Sequence, residues 1–255
     1  MASTLITGAD GFIGTALKRR LPEAQGVWLG SMTEDLIAEH RPERIYHLAA
    51  WGVLPRDRSM QAMVKNNVLR HAQLLNAVSK YTPDCHVICA GSCFDDDVND
   101  YGHTKRLARE MAEYYRMHHG LRISVLRFFH VYGPGEHESR LVPTVIRHCL
   151  EGRNIVIGHG KQMRSWLYVE DAVDALVGTE YALTENIGGA NLSVDAMVRR
   201  IVTVLGASVT VSNDGPSPDD AGRNYTCGQS LYLHASLDDG IRAHARSLGW
   251  TGDQR

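Results

Sequence analysis

A chain of 255 residues can bury one large hydrophobic core and a smaller lobe. Its 27 basic and 29 acidic side chains leave a formal net charge of −2, so no broad basic surface invites nucleic acid or anionic lipid, and neither is expected as a partner. No apolar run nears the length of a membrane span, Met1-Ala2-Ser3-Thr4 lacks the n- and h-regions of a signal peptide, and five cysteines without a Cys-x-x-Cys pair suit reduced cytoplasmic thiols better than a disulfide framework.

In chain order, apolar runs predict strands near residues 3–7, 26–29, 44–48, 86–91 and 122–129, alternating with helices near 12–20, 33–40, 61–79 and 103–118. That alternation is the pattern of an α/β fold with a doubly wound parallel sheet. Later pieces, among them Asn154-Ile155-Val156-Ile157, feed a smaller lobe. A helix from Val169 to Leu183 and the strand-like Asn186-Ile187 return to the main sheet. The expected division is therefore 1–135 for the main domain and 136–255 for the smaller lobe, with 169–190 rejoining the former. The clearest loop is 215–222, rich in Gly, Pro and Asp.

The first strand, Thr4-Leu5-Ile6-Thr7, runs into Gly8-Ala9-Asp10-Gly11-Phe12-Ile13-Gly14 and a helix whose buried stripe reads Ile13, Ala16, Leu17 and Leu21. Strand, glycine turn and helix together are what a dinucleotide site needs. Gly8 permits the tight turn, Gly11 lets backbone approach a pyrophosphate, Gly14 lets helix pack on strand, and the helix N-terminus offers N–H groups to the anion.

Further on, the strand Val87-Ile88-Cys89-Ala90-Gly91 leads to Ser92, and Tyr101 and Lys105 follow four residues apart on one helical face. A tyrosine of pKa about 10 working near neutrality needs its phenolate favoured by roughly 4 kcal/mol. A cation about 4 Å away supplies roughly 1 kcal/mol in a water-like medium and roughly 4 kcal/mol at an effective dielectric near 20. Lys105 therefore suffices only in a partly dried cleft. Ser92 would offer its hydroxyl to a substrate oxygen.

These pieces, with His47-Leu48-Ala49-Ala50, Asn66-Asn67-Val68, Tyr132-Gly133-Pro134-Gly135, Arg164-Ser165-Trp166-Leu167-Tyr168-Val169-Glu170-Asp171 and Asn186-Ile187-Gly188, occur in the order seen in a known family. The chain resembles the extended short-chain dehydrogenases/reductases, specifically their nucleotide-sugar epimerase, dehydratase and ketoreductase group. The resemblance implies a Rossmann-like sheet with a C-terminal substrate lobe, an NAD or NADP cofactor, a nucleotide-sugar substrate and a homodimer formed through the helices at 61–79 and 103–118. It also implies Ser92, Tyr101 and Lys105 as catalytic residues, with Gly8, Gly11, Phe12, Ile13, Gly14, Ser31, Met32, Ala49, Ala50, Asn67, Tyr101 and Lys105 around the cofactor. Asn67 would sit near the nicotinamide half. Ser92, His130, Arg164 and Arg223 would meet the substrate, the two arginines at its diphosphate. A solvated surface charge is the plainer reading of either arginine, and a packed core residue that of His130.

Departures from the family pattern carry information. Val27-Trp28-Leu29 is the sole candidate for the second strand, and Ser31-Met32-Thr33-Glu34 reads as a capping box in which Glu34 serves the helix end, so no acid for the adenine ribose can be named and the choice of NAD or NADP stays open. The first half-fold is expected to be shortened by a strand and its crossover. The acidic run Asp95, Asp96, Asp97 and Asp100 reads as solvated surface rather than a metal site, and no metal is expected. Ser92-Cys93-Phe94 stands where the dehydratase branch carries Thr-Asp-Glu, which removes the acid and base of dehydration; Cys93 reads as a buried thiol rather than an acid. The resulting expectation is an oxidoreductase acting on a nucleotide-linked sugar, most simply a ketoreductase. A nucleotide-sugar epimerase with tightly held NAD, a reductase of small ketones and a non-catalytic dinucleotide-binding sensor are the alternatives.

Overall fold

A computed structural model describes residues 3–28, 30, 34–54, 57, 59–97, 99–180, 184–215, 223–228 and 235–252. The chain divides into two compact units, Met1–Phe128 with Val173–Asn186, and Phe129–Ala172 with Ile187–Arg255.

The first unit is built on a six-stranded sheet in the order β2-β1-β3-β4-β5-β9. Its strands are β1 (Thr4–Thr7), β2 (Gln25–Val27), β3 (Arg44–His47), β4 (His86–Ser92), β5 (Arg122–Phe128) and β9 (Thr184–Ile187). The β1–β2, β1–β3, β3–β4 and β4–β5 pairs run parallel. A parallel sheet with helices on its faces buries both sides of a strand, which is why the centres of β3, β4 and β5 are apolar runs rather than alternations. Ile45, Val87 and Ile123 are buried in one core with Leu74, Leu75 and Val78 of helix α4 (Arg70–Tyr81).

The chain leaves β1 for β2 on one side and returns to β3 on the other, so the topological switch point lies between β1 and β3. Ligands of open α/β sheets bind outside the carboxyl ends of the strands at such a point. A full doubly wound half carries one further strand beyond β2. Among the described residues the strand order lacks it, in line with the short interval between Leu21 and Glu34.

Several boundaries move. Strand β2 stops at Val27, leaving Trp28 exposed, and Leu29 lies outside the described residues. Helix α2 begins at Glu34 (Glu34–His40), and Ser31, Met32 and Thr33 of the expected capping box lie outside the described residues. The Glu34 carboxylate accepts from Asn76, Lys80 and Tyr81 of α4, the Lys80 ammonium lying 3.0 Å away. The single helix expected over 61–79 is α3 (Met60–Met63), a π-helical stretch (Val64–Leu69) and α4. Helix α5 (Asp100–His119) begins earlier than residue 103, because Asn99 caps it by accepting from the Gly102 N–H at 2.8 Å, and Gly120 at φ +67 ends it. Tyr101 therefore belongs to its first turn.

The second unit holds a three-stranded sheet in the order β10-β8-β6 and a two-stranded sheet, β11-β7. These strands are β6 (His130–Tyr132), β7 (Ile155–Val156), β8 (Met163–Tyr168), β10 (Ala190–Ser193) and β11 (Val211–Ser212). Helices α6 (Leu141–Leu150), α8 (Val194–Leu205) and α9 (Leu237–Ser247) close a core that includes Ile146, Trp166, Val198, Ile201 and Ile241. Helix α7 (Val169–Gly178) ends short of Leu183, and 181–183 lie outside the described residues, as do 216–222 of the expected loop.

The acidic run is not uniformly solvated. It forms a 3₁₀ turn, Cys93–Asp96, in which Asp95 is 0% exposed while Asp96 remains open. Asp95 accepts from Arg109 of α5 at 2.9 Å and from Arg127 of β5, and its own carbonyl accepts from Arg106 at 2.6 Å. One carboxylate thus ties the turn after β4 to a helix and a strand. Replacing it by Asp95→Ala takes the buried partner from two guanidiniums whose side chains are only 20% and 14% exposed, leaving Arg109 to Glu113 and Arg127 to Asp96. Urea denaturation is expected to show a loss of about 3 kcal/mol.

Candidate active site

The first unit gathers its chemistry at the carboxyl ends of β1, β3 and β4. Gly8 turns at φ +72, and a Cβ there would lie 2.8 Å from the Ala49 nitrogen just past β3. A Cβ on Gly14 would fall 2.0 Å from the Gly8 oxygen, so only glycine lets helix α1 (Phe12–Arg20) pack this closely on the turn. Gly11 is the N-cap and brings no side-chain cap, and the first turn holds no acidic residue. The N–H groups of Phe12, Ile13 and Gly14 are left to an anion, with the positive end of the helix behind them. This bare cradle, walled by Ala49 and followed by half-buried Ala50, fits the pyrophosphate of a dinucleotide. Ser31 and Met32 lie outside the described residues.

Ser92 is the last residue of β4, and its Oγ accepts from the Phe94 N–H at 3.2 Å, capping the 3₁₀ turn. The hydroxyl proton has no acceptor among the described residues. Gly102 explains how α5 reaches this turn: a Cβ there would sit 2.0 Å from the Phe94 oxygen. The same approach brings Tyr101, 8% exposed, to the first turn of a 20-residue helix whose positive end favours a phenolate.

Lys105 is 9% exposed and donates to the Ala90 carbonyl of β4 at 2.7 Å, not to the phenol. Burial holds its pKa below the ordinary lysine value, while the Asp95 carboxylate pulls the other way. Two of its three N–H donors have no protein partner among the described residues. The ammonium thus lies in the sheltered setting that the electrostatic argument requires.

Asn67 lies in the π-helical stretch, and its amide is engaged on all sides. Its Oδ1 accepts from the Trp51 N–H at 2.7 Å, and its Nδ2 donates to the Trp51 carbonyl at 2.9 Å and to Thr104 Oγ1 at 3.0 Å. Thr104 in turn donates to the Tyr101 carbonyl at 2.9 Å, and a Cβ on Gly52, next to Trp51, would lie 3.7 Å from the Tyr101 ring. Asn67 thus ties Trp51 to Thr104 and, through it, to the first turn of α5 that carries Tyr101. Behind Lys105, His47 and His71 stack with centroids 5.0 Å apart, and His47 Nδ1 shares a 2.8 Å hydrogen bond with Thr7 Oγ1. Burial keeps both imidazoles neutral, His71 down to about 4 and His47 well below its ordinary value.

In the second unit Arg164 is 3% exposed, which overturns a solvated surface charge. Its guanidinium lies 4.9 Å from the Tyr225 ring centroid and donates to the carbonyls of Met163 and Arg223 at 2.9 and 2.6 Å. The Arg223 side chain is exposed. His130 packs 5.7 Å from Trp166 and 5.9 Å from Tyr225, and burial among the Arg164 and Arg140 charges pushes its pKa down to about 3. It is a neutral, packed residue. Among the described residues no group of three His, Cys, Asp or Glu side chains could hold a metal, and no helix is long and apolar enough to cross a membrane.

Sequence reasoning missed the Asp95 clamp, the His71 partner of His47 and the Tyr225 platform. Each joins residues at least 14 positions apart. Only the crowding of Arg106 and Arg109 after Lys105 hinted at a buried acid.

The model of the NAD dependent epimerase/dehydratase family matches residues 4–188. An uncharacterized UDP-glucose epimerase of Bacillus subtilis is 27% identical over 81% of this chain and 76% of its own. A dTDP-glucose 4,6-dehydratase of Haemophilus influenzae is 23% identical over 80% of each chain. The crystal structure of a UDP-glucose 4-epimerase with UDP-glucose from Thermotoga maritima has the same fold, with a TM-score of 0.83 and 21% identity over 96% of this chain and 98% of that one. A UDP-glucuronic acid 4-epimerase from Bacillus cereus, in complex with UDP-glucuronic acid and NAD, superposes at a TM-score of 0.81 with 21% identity over the same shares.

The neutral histidine behind Lys105 makes stability depend on pH. His71 titrates near 6.5 when unfolded and about 4 when folded, so the unfolded chain takes up the proton first. Stability is complete above about pH 6.5 and falls as the pH drops towards 4, by on the order of 3 kcal/mol from this residue. His71→Phe, which keeps a flat ring in the stack, is expected to shallow that fall in urea midpoints measured from about pH 7 to about pH 4.5.

Proposed function

This chain belongs to the NAD dependent epimerase/dehydratase family, and we propose from that membership that it is an oxidoreductase of nucleotide-linked sugars, working as a ketoreductase with Tyr101 as its acid. The observation that carries the reading is the assembly of Ser92, Tyr101 and Lys105, all buried, at the end of β4 and the start of α5.

Reduction of a ketone adds a hydride to carbon and a proton to oxygen. The nicotinamide cofactor supplies the hydride when bound. Ser92 donates its hydroxyl proton in a hydrogen bond to the substrate oxygen and orients it, the Phe94 N–H holding the serine from behind. Tyr101 gives its phenolic proton to the same oxygen as negative charge develops there. Lys105 and the N-terminus of α5 stabilise the phenolate left behind. The bare helix N-terminus at Gly11–Gly14 would hold the cofactor's pyrophosphate, and the open donors of Lys105 its ribose.

Buried Arg164, with Arg223, would grip the substrate diphosphate, and His130 would shape the sugar pocket as a neutral ring. The complexes of two proteins of the same fold, one with UDP-glucose and one with UDP-glucuronic acid, support a nucleotide-sugar substrate. The missing outer strand and the commitment of Glu34 to α4 favour a cofactor that exchanges at each turnover over one retained through an epimerase cycle. Ser92 is followed by Cys93 and Phe94, and Asp95 is locked between arginines, so none of the three residues after Ser92 offers a carboxylate free for dehydration. Exposed Leu69, Tyr114 and Met117 on the π-helical stretch and α5 support a homodimer through these helices. Five buried free thiols fit the cytoplasm.

Purified protein is expected to carry little cofactor and to oxidise added reduced cofactor only when a nucleotide-linked keto sugar is present. Stoichiometric bound NAD with interconversion of a nucleotide hexose in its absence from the buffer makes the chain an epimerase instead. Tyr101→Phe is expected to lower kcat about 10²- to 10⁴-fold with cofactor affinity kept. Retained biological activity in that variant would point to a dinucleotide sensor.

A further inference from the structure

The carboxyl ends of the strands do not hold all the polar chemistry of the first unit. At the amino end of the sheet Arg44 opens β3, His86 opens β4 and Arg122 opens β5, and the ladders set Arg44 opposite His86 and His86 opposite Arg122. Residues in register across parallel strands share a face, so the three side chains stand in one row. Neighbouring strands are about 4.8 Å apart, which puts the α carbons of the two arginines about 10 Å from each other. His86 and Ser92 are the first and last residues of β4, about 20 Å apart, so the row is remote from the proposed catalytic residues.

The middle of the row is buried and its flanks are open. His86 is 2% exposed, Arg44 is half-buried and Arg122 exposed. The imidazole Nε2 shares a 2.8 Å hydrogen bond with Ser124 Oγ, and Nδ1 is buried without a partner. Among the described residues each guanidinium makes one long hydrogen bond, Arg44 to the Tyr46 hydroxyl at 3.4 Å and Arg122 to the Glu180 carbonyl at 3.5 Å. Neither pairs with a carboxylate there, those of nearby Glu43, Asp84 and Glu180 included. Burial, and after it the charges of Arg122 and Arg44, hold the imidazole neutral with its pKa down to about 4, so both cations are within electrostatic reach of one ring.

Two positive charges in one row, with an unpaired buried nitrogen between them, are a costly arrangement. An anion seated between the guanidiniums offsets their repulsion and takes up their open donors, whose planar fork matches the oxygens of a phosphate. We propose that Arg44, His86 and Arg122 form a second anion site, at the end of the sheet opposite the glycine turn, which takes a phosphate or diphosphate group. The arginines supply the charge and the donors. His86, held by Ser124, forms the floor between them, and its Nδ1 adds a polar atom to that floor. The site does not depend on the cofactor and substrate sites of the proposed function.

Modification of arginines by phenylglyoxal, followed by peptide mass spectrometry on the whole protein, tests this with inorganic phosphate, pyrophosphate and UDP as probes, each against chloride of the same ionic strength. Pyrophosphate is expected to protect Arg44 and Arg122 together while exposed Arg246 reacts as before. Arg44→Gln is expected to raise the pyrophosphate concentration that half-protects Arg122 about ten- to a hundredfold, the worth of hydrogen bonds to a charged group, and Arg122→Gln to do the same for Arg44, with NAD⁺ affinity unchanged in both. Protection by UDP equal to that by pyrophosphate assigns the site to a nucleotide-borne diphosphate; protection by the inorganic anions alone assigns it to a free one. Unprotected arginines with all three probes overturn the proposal, as does protection that chloride reproduces. Half-protection of Arg122 at an unchanged concentration in Arg44→Gln overturns it too. The wild-type protection pattern decides the matter even if a variant does not fold.

Discussion

A lysine ammonium held almost out of water beside β4 is the constraint around which the first unit is arranged. Burying a charge costs about several kcal/mol even after relaxation, and the cost is offset only by hydrogen bonds and by compensating charge. Lys105 has one such bond, to Ala90, and feels the carboxylate of Asp95. The neighbouring histidines stay neutral because burial disfavours their charged forms, and the Lys105 ammonium adds to that cost. Asp95 is itself buried and needs both Arg109 and Arg127. The residue that moderates the lysine is thus the one that fixes the 3₁₀ turn after Ser92, so the electrostatics and the geometry of the site share a part.

The second organising element is a set of close approaches that only glycine allows. Gly14 seats α1 on the turn after β1, Gly8 seats that turn against Ala49, and Gly102 seats α5 against the turn after β4. Each draws a helix N-terminus or a strand end towards the switch point of the sheet. What remains there is backbone N–H, a hydroxyl, a phenol and an amine. Such an array can bind a pyrophosphate and move one proton, and among the described residues it offers no cluster for a metal.

The loss of one outer strand changes what the adenosine half of a cofactor can meet. Where a longer sheet carries its acid, this chain ends β2 early and leaves Trp28 exposed. Glu34, close enough in sequence to take the acid's place, is drawn to α4 by Lys80 and Tyr81. That ion pair joins the first turn of α2 to a helix more than 40 residues away in sequence.

The sheet, the glycine turn, the place of Ser92 at a strand end and the shared face of Tyr101 and Lys105 were legible in the sequence, because each follows from periodicity or spacing within a few residues. The short interval before Glu34 likewise announced the missing strand. The burial of Asp95 between arginines, the brace that Asn67 forms to Trp51 and Thr104, the stack of His47 on His71 and the seat of Arg164 on Tyr225 were decided by the tertiary structure alone. All of them join segments distant in the chain, and no local pattern specifies which distant groups meet when the sheet closes. The sequence named the candidate groups; only the folded packing settled which would be dry, which neutral and which held in place.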